Sequence, residues 1–397
     1  MAFESRPPAA TATIPLSVPE IAGNEWAYVK ECLDTGWVSS AGPFVDRFEC
    51  EIARRTGVTH AVATVNGTSA LHVALLVAGV LPDEEVIVPS LTFIAPANAV
   101  RYAGAWPVFV DVEPRHWQID PERLAELVQR QGLWQDGVLR NRVTGRRIRA
   151  ILPVDLLGHP VDMDAIRDVG RSRDLAVVED ASESLGALYR GHPVGSLADA
   201  ACFSFNGNKI ATSGGGGTMV TNRDDWAARA RYLTTQAKDD PIEYVHRAVG
   251  YNYRLTNVQA AIGLAQIERL EEYVERKRRI AARYRDAFDG VPGVTCPDEA
   301  PWARSTYWLY TVVIDETAFG MGSRDLLRRL AESGIESRPL WQPGHCSPAH
   351  IESMSMACPV AECLHARALS PPSSVGLTEA DQKRVIDGVC AAHTGGR

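Results

Sequence analysis

The chain has 397 residues, 45% of them hydrophobic and 23% charged, the balance of an ordinary globular enzyme whose core is large enough to need no disulfide staples. A formal net charge of −8 excludes a general nucleic-acid binder, while a local basic pocket for a phosphorylated small molecule stays open. Eight scattered cysteines form no CxxC pair and no long apolar run is present, so the expectation is no zinc site or other metal, reduced thiols in a cytoplasmic protein, and neither signal peptide nor membrane span.

Residues 1–17 are rich in Pro, Ala, Ser and Thr and are expected to lie extended or disordered. Helices are predicted over 20–35, stopped by Gly36, and over 43–55. HAVATVNGTSALHVALLVAGV then reads as a short strand, a turn at Asn66-Gly67 and a helix with Leu71, Ala74, Leu75 and Ala78 on one face. Thr68 and Ser69 open that helix, where unpaired N–H groups and the helix dipole favour an anion. Either hydroxyl serves equally well as an N-cap. Strands over 84–90, 107–112, 149–158 and 175–180 alternate with helices over 91–105, 122–131 and 163–174, and the polar insert before Arg149 reads as a solvated loop. The strands lack polar alternation, which places them in a mainly parallel sheet covered by helices on both faces.

Working groups in such a sheet collect at the carboxyl ends of strands. Asp180 ends its strand in VVEDASESLGA, where a carboxylate can pair with a pyridinium nitrogen or cap the next helix; Glu183 and Ser184 follow within reach of the same pocket. The stretch 200–222, ACFSFNGNKIATSGGGGTMVTN, sets Lys209 between two β-type runs and beside four glycines. Asp199 is the one acidic residue within ten positions of it. A lysine so placed is either a basic residue in an exposed loop or an amine nucleophile tuned to form a Schiff base with an aldehyde cofactor. A helix over 224–238, a polar loop and a helix of about 30 residues ending near 288 follow. VPGVTCPDEAP marks a boundary, beyond which strands over 305–315 and near 336–345 and helices over 324–334 and 377–393 make a small α+β unit. The division is an extended segment 1–17, a large domain 18–285 and a small domain 286–397.

Five segments stand in a set order: NGTSAL, VPSLTFIAPANAV, VVEDASESLGA, SFNGNKIATSGGGG and GYNYRLTNVQAAI. In order and wording they resemble the DegT/DnrJ/EryC1/StrS sugar aminotransferases, over about residues 15–390. The resemblance implies the aspartate-aminotransferase type fold and pyridoxal 5′-phosphate as cofactor. Lys209 would hold the cofactor as a Schiff base and shuttle the proton, and Asp180 would pair with the ring nitrogen. Phe93 would stack on the ring face, Thr68, Ser69 and Ser204 would bind the phosphate, and Glu183 would lie on the ring-hydroxyl side. Asn252 and Arg254 would reach across a homodimer with shared sites to the partner's phosphate or substrate. Most of the family carries a glutamate where this chain has Gly215.

SFNGNKI, LTTQAK, GHPVDMD and SRPLW look like a subgroup that aminates UDP-linked 4-keto-6-deoxy-N-acetylglucosamine, with L-glutamate as donor. A 3-keto sugar, a cyclitol ketone, or a regulator that binds the cofactor without turnover are the alternatives. In SRPLWQPGH, Arg338 is a candidate for the nucleotide diphosphate and Trp341 for stacking, or each is ordinary surface and packing; His159 and His345 fit structural and catalytic roles alike.

Overall fold

The computed structural model of the chain describes residues 13–240 and 242–393. A seven-stranded sheet runs in the order His60–Thr64, Gly217–Thr221, Ala200–Ser204, Ala176–Asp180, Ile148–Ile151, Glu85–Pro89, Trp106–Val110. Neighbours pair in parallel except Gly217–Thr221, which is antiparallel to both of its neighbours. Successive residues feed different cores. Ala61 and Ala63 pack with Phe44, Phe48 and Phe203 on one face, while Val62 packs with Leu71, Ala200, Cys202 and Met219 on the other. Burial on both faces is why these strands read as continuous apolar runs.

A second sheet, in the order Val294–Thr295, Val312–Ile314, Ala368–Ser370, Arg338–Pro339, packs with the helices Ser323–Glu332 and Glu379–Ala392 in a separate apolar cluster. The helix Leu270–Phe288 belongs to both cores: Leu270, Tyr273 and Val274 join the large one, and Ile280, Tyr284 and Phe288 the small one. Of the segment 1–17, residues 1–12 lie outside the described residues; Ile14 is buried and pairs in parallel with Ile335. Leu16 O accepts from Ser373 N–H at 2.7 Å.

Three local expectations are corrected. The long helix breaks at Arg269 into Asn257–Glu268 and Leu270–Phe288, because the Arg269 N–H bonds back to Gln266 and its ψ is 8°. The polar insert is a hairpin, Gly132–Gln135 paired with Val138–Asn141, closed by Asp136-Gly137 with φ of 54° and 74°. Two successive positive φ values fit the favoured two-residue hairpin turn, which Asp-Gly suits. The helix from Asp224 stops at Thr234, where Gln236 and Ala237 turn to positive φ. All eight cysteines are free thiols. Among the described residues no helix is long and apolar enough to cross a membrane.

Candidate active site

The carboxyl edge of the large sheet is where the chemistry-bearing segments meet. Loops leaving Ala176–Asp180, Ala200–Ser204, Glu85–Pro89 and His60–Thr64, together with the turn entering Gly217–Thr221, surround a cavity of about 300 Å³. Asp180, Glu183, Lys209, Thr68, Ser204, Phe93 and Trp341 line it.

Lys209 closes a tight turn, its N–H bonding to Asn206 O at 3.0 Å, and its side chain is only 13% exposed. Its Nζ lies 3.3 Å from Glu183 Oε1 and 4.0 Å from the centroid of the Trp308 ring. Glu183 Oε2 accepts from Leu157 N–H at 2.7 Å, which fixes the carboxylate. Burial raises the Glu183 carboxyl above its usual range, and the Lys209 charge pulls the other way. Asp180 sits beneath, 4% exposed, with Oδ1 accepting from Ser182 N–H at 3.0 Å. Its carboxyl is also raised by burial, against the Ser182 hydrogen bonds and the Lys209 charge. Two buried carboxylates thus face one amine.

The opposite end of the cavity is built for an anion. The helix Gly67–Val77 begins there, with N–H groups of its first turn that have no partner inside the helix. Its N-cap is neither Thr68 nor Ser69 but Asn66, whose side chain accepts from Ser69 N–H at 2.8 Å. Thr68 and Ser204 line the cavity, and Gly67 lets them approach: a Cβ at 67 would fall 2.9 Å from Ser204 Cβ. Gly215 also lines the wall, and a side chain there would meet Gln259 Nε2 at 3.1 Å. The site accordingly offers anion donors at one end, a buried acid at the other, an amine between them and an aromatic rim. That donor set fits pyridoxal 5′-phosphate: Thr68, Ser204 and the helix start for the phosphate, Asp180 for the ring nitrogen, Lys209 for the aldehyde carbon, Phe93 for the ring face.

Several expected residues stand elsewhere. Ser69 is buried outside the cavity lining, its N–H taken by the cap. Ser184 turns its hydroxyl away to Asp155 Oδ2 at 2.7 Å. Arg338 is exposed, its side chain donates to Ser337 O at 2.9 Å, and it is not among the residues that line the cavity. Asn252 is exposed and pairs with Thr235, and Arg254 lines a different cleft, 4.0 Å from Asp46. His345 bonds to Ser90 Oγ at 2.5 Å and to Glu362 at 3.1 Å, outside the lining. Two lining residues carry no local sequence signal: Ser182, and Trp308, whose ring lies parallel to Trp341 at 6.2 Å and whose Nε1–H donates to Asn208 O.

His159 is structural. Its Nε2 accepts from Ala300 N–H at 2.9 Å and its Nδ1 lies 2.8 Å from Pro160 O, which fits only the neutral ring with the proton on Nδ1. Burial holds its pKa down to about 4. Between pH 6.5 and 4 the unfolded chain takes up this proton and the folded chain does not, so stability falls as pH drops through that window. The cost is about 3 kcal/mol in total. Denaturant melts at pH 7 and 4.5 should show a smaller loss in His159→Gln than in wild type, by roughly 2 kcal/mol.

Residues 19–390 match the family model described as the DegT/DnrJ/EryC1/StrS aminotransferase family. The chain is 44% identical to a GDP-perosamine synthase of Caulobacter vibrioides, over 94% of this chain and 96% of that protein. It is 37% identical to a GDP-perosamine synthase of Escherichia coli O157:H7, over 92% and 94%. The crystal structure of DesI in the presence of its TDP-sugar product superposes with a TM-score of 0.87 at 31% identity, covering 98% of this chain and 95% of that one.

Proposed function

Because the chain belongs to the DegT/DnrJ/EryC1/StrS aminotransferase family, and is with it a pyridoxal-phosphate-dependent sugar aminotransferase, we propose that it moves the amino group of L-glutamate onto a nucleotide-linked 4-keto-6-deoxy sugar. The carrier we propose is guanosine diphosphate in place of the uridine diphosphate expected from sequence, since two relatives spanning nearly the whole chain are named for a GDP-linked amino sugar. One observation supports the chemistry above the rest: the Lys209 amine 3.3 Å from Glu183 in a cavity floored by buried Asp180.

When bound, the cofactor supplies an electron-withdrawing ring that stabilises negative charge at the carbon losing its proton. The chain's own groups do the rest. Lys209 Nζ takes the proton from the α-carbon of the amino donor and delivers one to the former carbonyl carbon of the sugar. Glu183 steadies the charged form of that amine between transfers. Asp180 would hold negative charge for the ring nitrogen, at a depth where water screens it little. Thr68, Ser204 and the start of the Gly67–Val77 helix would hold the phosphate of the cofactor. Trp341 rims the cavity and offers a flat face to the sugar nucleotide, while buried Trp308 packs against it and against Lys209.

The working unit in this reading is a cytoplasmic homodimer with shared sites. Trp26, Trp37, Tyr102, Ile242 and Val249 expose large apolar faces, Trp26 to 79% and Val249 to 81%. Asn252 and Arg254, absent from their own chain's cavity, are then free to serve the partner's.

The test is formation of 2-oxoglutarate from L-glutamate with a panel of acceptors. GDP-linked 4-keto-6-deoxy sugar is expected to give a kcat/KM at least about tenfold above its UDP-linked N-acetyl counterpart, a difference of roughly 1.4 kcal/mol in transition-state binding. Preference for the UDP-linked sugar would overturn the carrier; turnover confined to 3-keto sugars or cyclitol ketones would overturn the acceptor.

A further inference from the structure

The helix Leu270–Phe288 carries a lysine that the chemistry above does not use. Lys277 is 2% exposed, and among the described residues no charged group acts on it. Its Nζ donates to Trp308 O at 2.7 Å and to Ser373 O. A Met or Leu would fill such a place without the cost of burying an amine, so the two hydrogen bonds are what the lysine adds. Burial alone brings its pKa down to about 7, and the amine has hydrogens for both carbonyls whether protonated or neutral.

One of the two carbonyls belongs to a residue that lines the cavity. Trp308 presents its ring to the Lys209 amine at 4.0 Å, stacks parallel to Trp341, and donates from Nε1 to Asn208 O, next to Lys209, at 2.7 Å. Ser373 accepts from Tyr310 N–H on its Oγ, two residues beyond Trp308, and donates its own N–H to Leu16 O. Lys277 therefore ties the main chain of Trp308 to the segment that carries Ser373.

We propose that Lys277 is a positioning residue for the reaction, holding the Trp308 indole in register with the amine of Lys209 through the Trp308 carbonyl. The inference rests on the reading of Lys209 as the reacting amine. A displacement of about 1 Å at a catalytic centre can cost as much as 100-fold in rate. Lys277 touches neither substrate nor cofactor, so its effect belongs in the geometry of the loaded enzyme.

Holoenzyme variants test this. Lys277→Met is expected to lower kcat by roughly 10–100-fold, to leave KM for the amino donor within about threefold, and to shift the pH midpoint of the visible absorbance band by half a unit or more. Lys277→Arg keeps donors for both carbonyls and should recover kcat to within about threefold of wild type. In a Trp308→Ala background, Lys277→Met should cost less than about twofold, because the group it acts through is gone. Wild-type kcat and an unmoved band in Lys277→Met overturn the proposal, as does full additivity with Trp308→Ala. Should Lys277→Met fail to fold, Lys277→Gln carries the same test, with reduced kcat and a shifted band as support and wild-type values of both as refutation. Lys209→Ala measured alongside separates the two ideas: turnover surviving there sinks the role of Lys209, whatever Lys277 does.

Discussion

Lys209→Ala is expected to take turnover to background, a loss on the order of 10⁴-fold, and to remove the visible absorbance of the loaded enzyme. The proposed proton transfers at the donor α-carbon and the sugar carbon both run through this amine. None of the other groups around the cavity is a base of comparable reach: Asp180 is committed to the Ser182 N–H, and Glu183 to Leu157 N–H. The fold should survive. The substitution leaves Glu183 buried without its cation, but burial already raises that carboxyl, so it takes a proton in preference to unfolding the chain. A thermal melt within a few degrees of wild type, with no product over hours, is the expected pair of results. Retained turnover or retained absorbance would remove Lys209 from the chemistry.

Asp180→Asn should separate rate from stability. The amide keeps the shape of the carboxylate and an oxygen for Ser182 N–H, so packing against the neighbouring strand at Cys202 is undisturbed. It cannot hold a full negative charge against the ring nitrogen. Removal of one preorganised charge of this kind typically costs about 10²–10³-fold in rate. Burial disfavours the charged form of Asp180 in the absence of a partner, so the apoprotein variant should melt at the wild-type temperature or above it. Single-turnover rates and melts of apo and loaded protein provide the check. A wild-type rate would show that the ring nitrogen does not depend on residue 180.

The sequence was most readable where physics acts locally. Strands such as Ala176–Asp180 and Ala200–Ser204 are short apolar runs because both faces are covered, and the position of Asp180 at a strand end put it at the working edge. Lys209, Asp180 and Glu183, singled out in the sequence, line one cavity. Trp308 could not be found this way: it sits in an apolar run that reads as a strand, and only the approach of a distant segment makes its ring face Lys209. Arg338 failed for the converse reason, since a basic residue beside a lining tryptophan can still point to solvent. The hairpin over 132–141 did carry its signal, Asp136-Gly137, which was hidden by the polar residues around it. The break at Arg269 carried none, because the apolar spacing continues across it.

The pairing of Ile14 with Ile335, and of Leu16 with Ser373, has a consequence for biosynthesis. Ile14 and Leu16 are made before their partners and must wait for them, roughly 15–60 s at ordinary elongation rates. Until then Ile14 and Leu16 have nowhere to dock. Slow codons between the paired segments would lengthen that exposure.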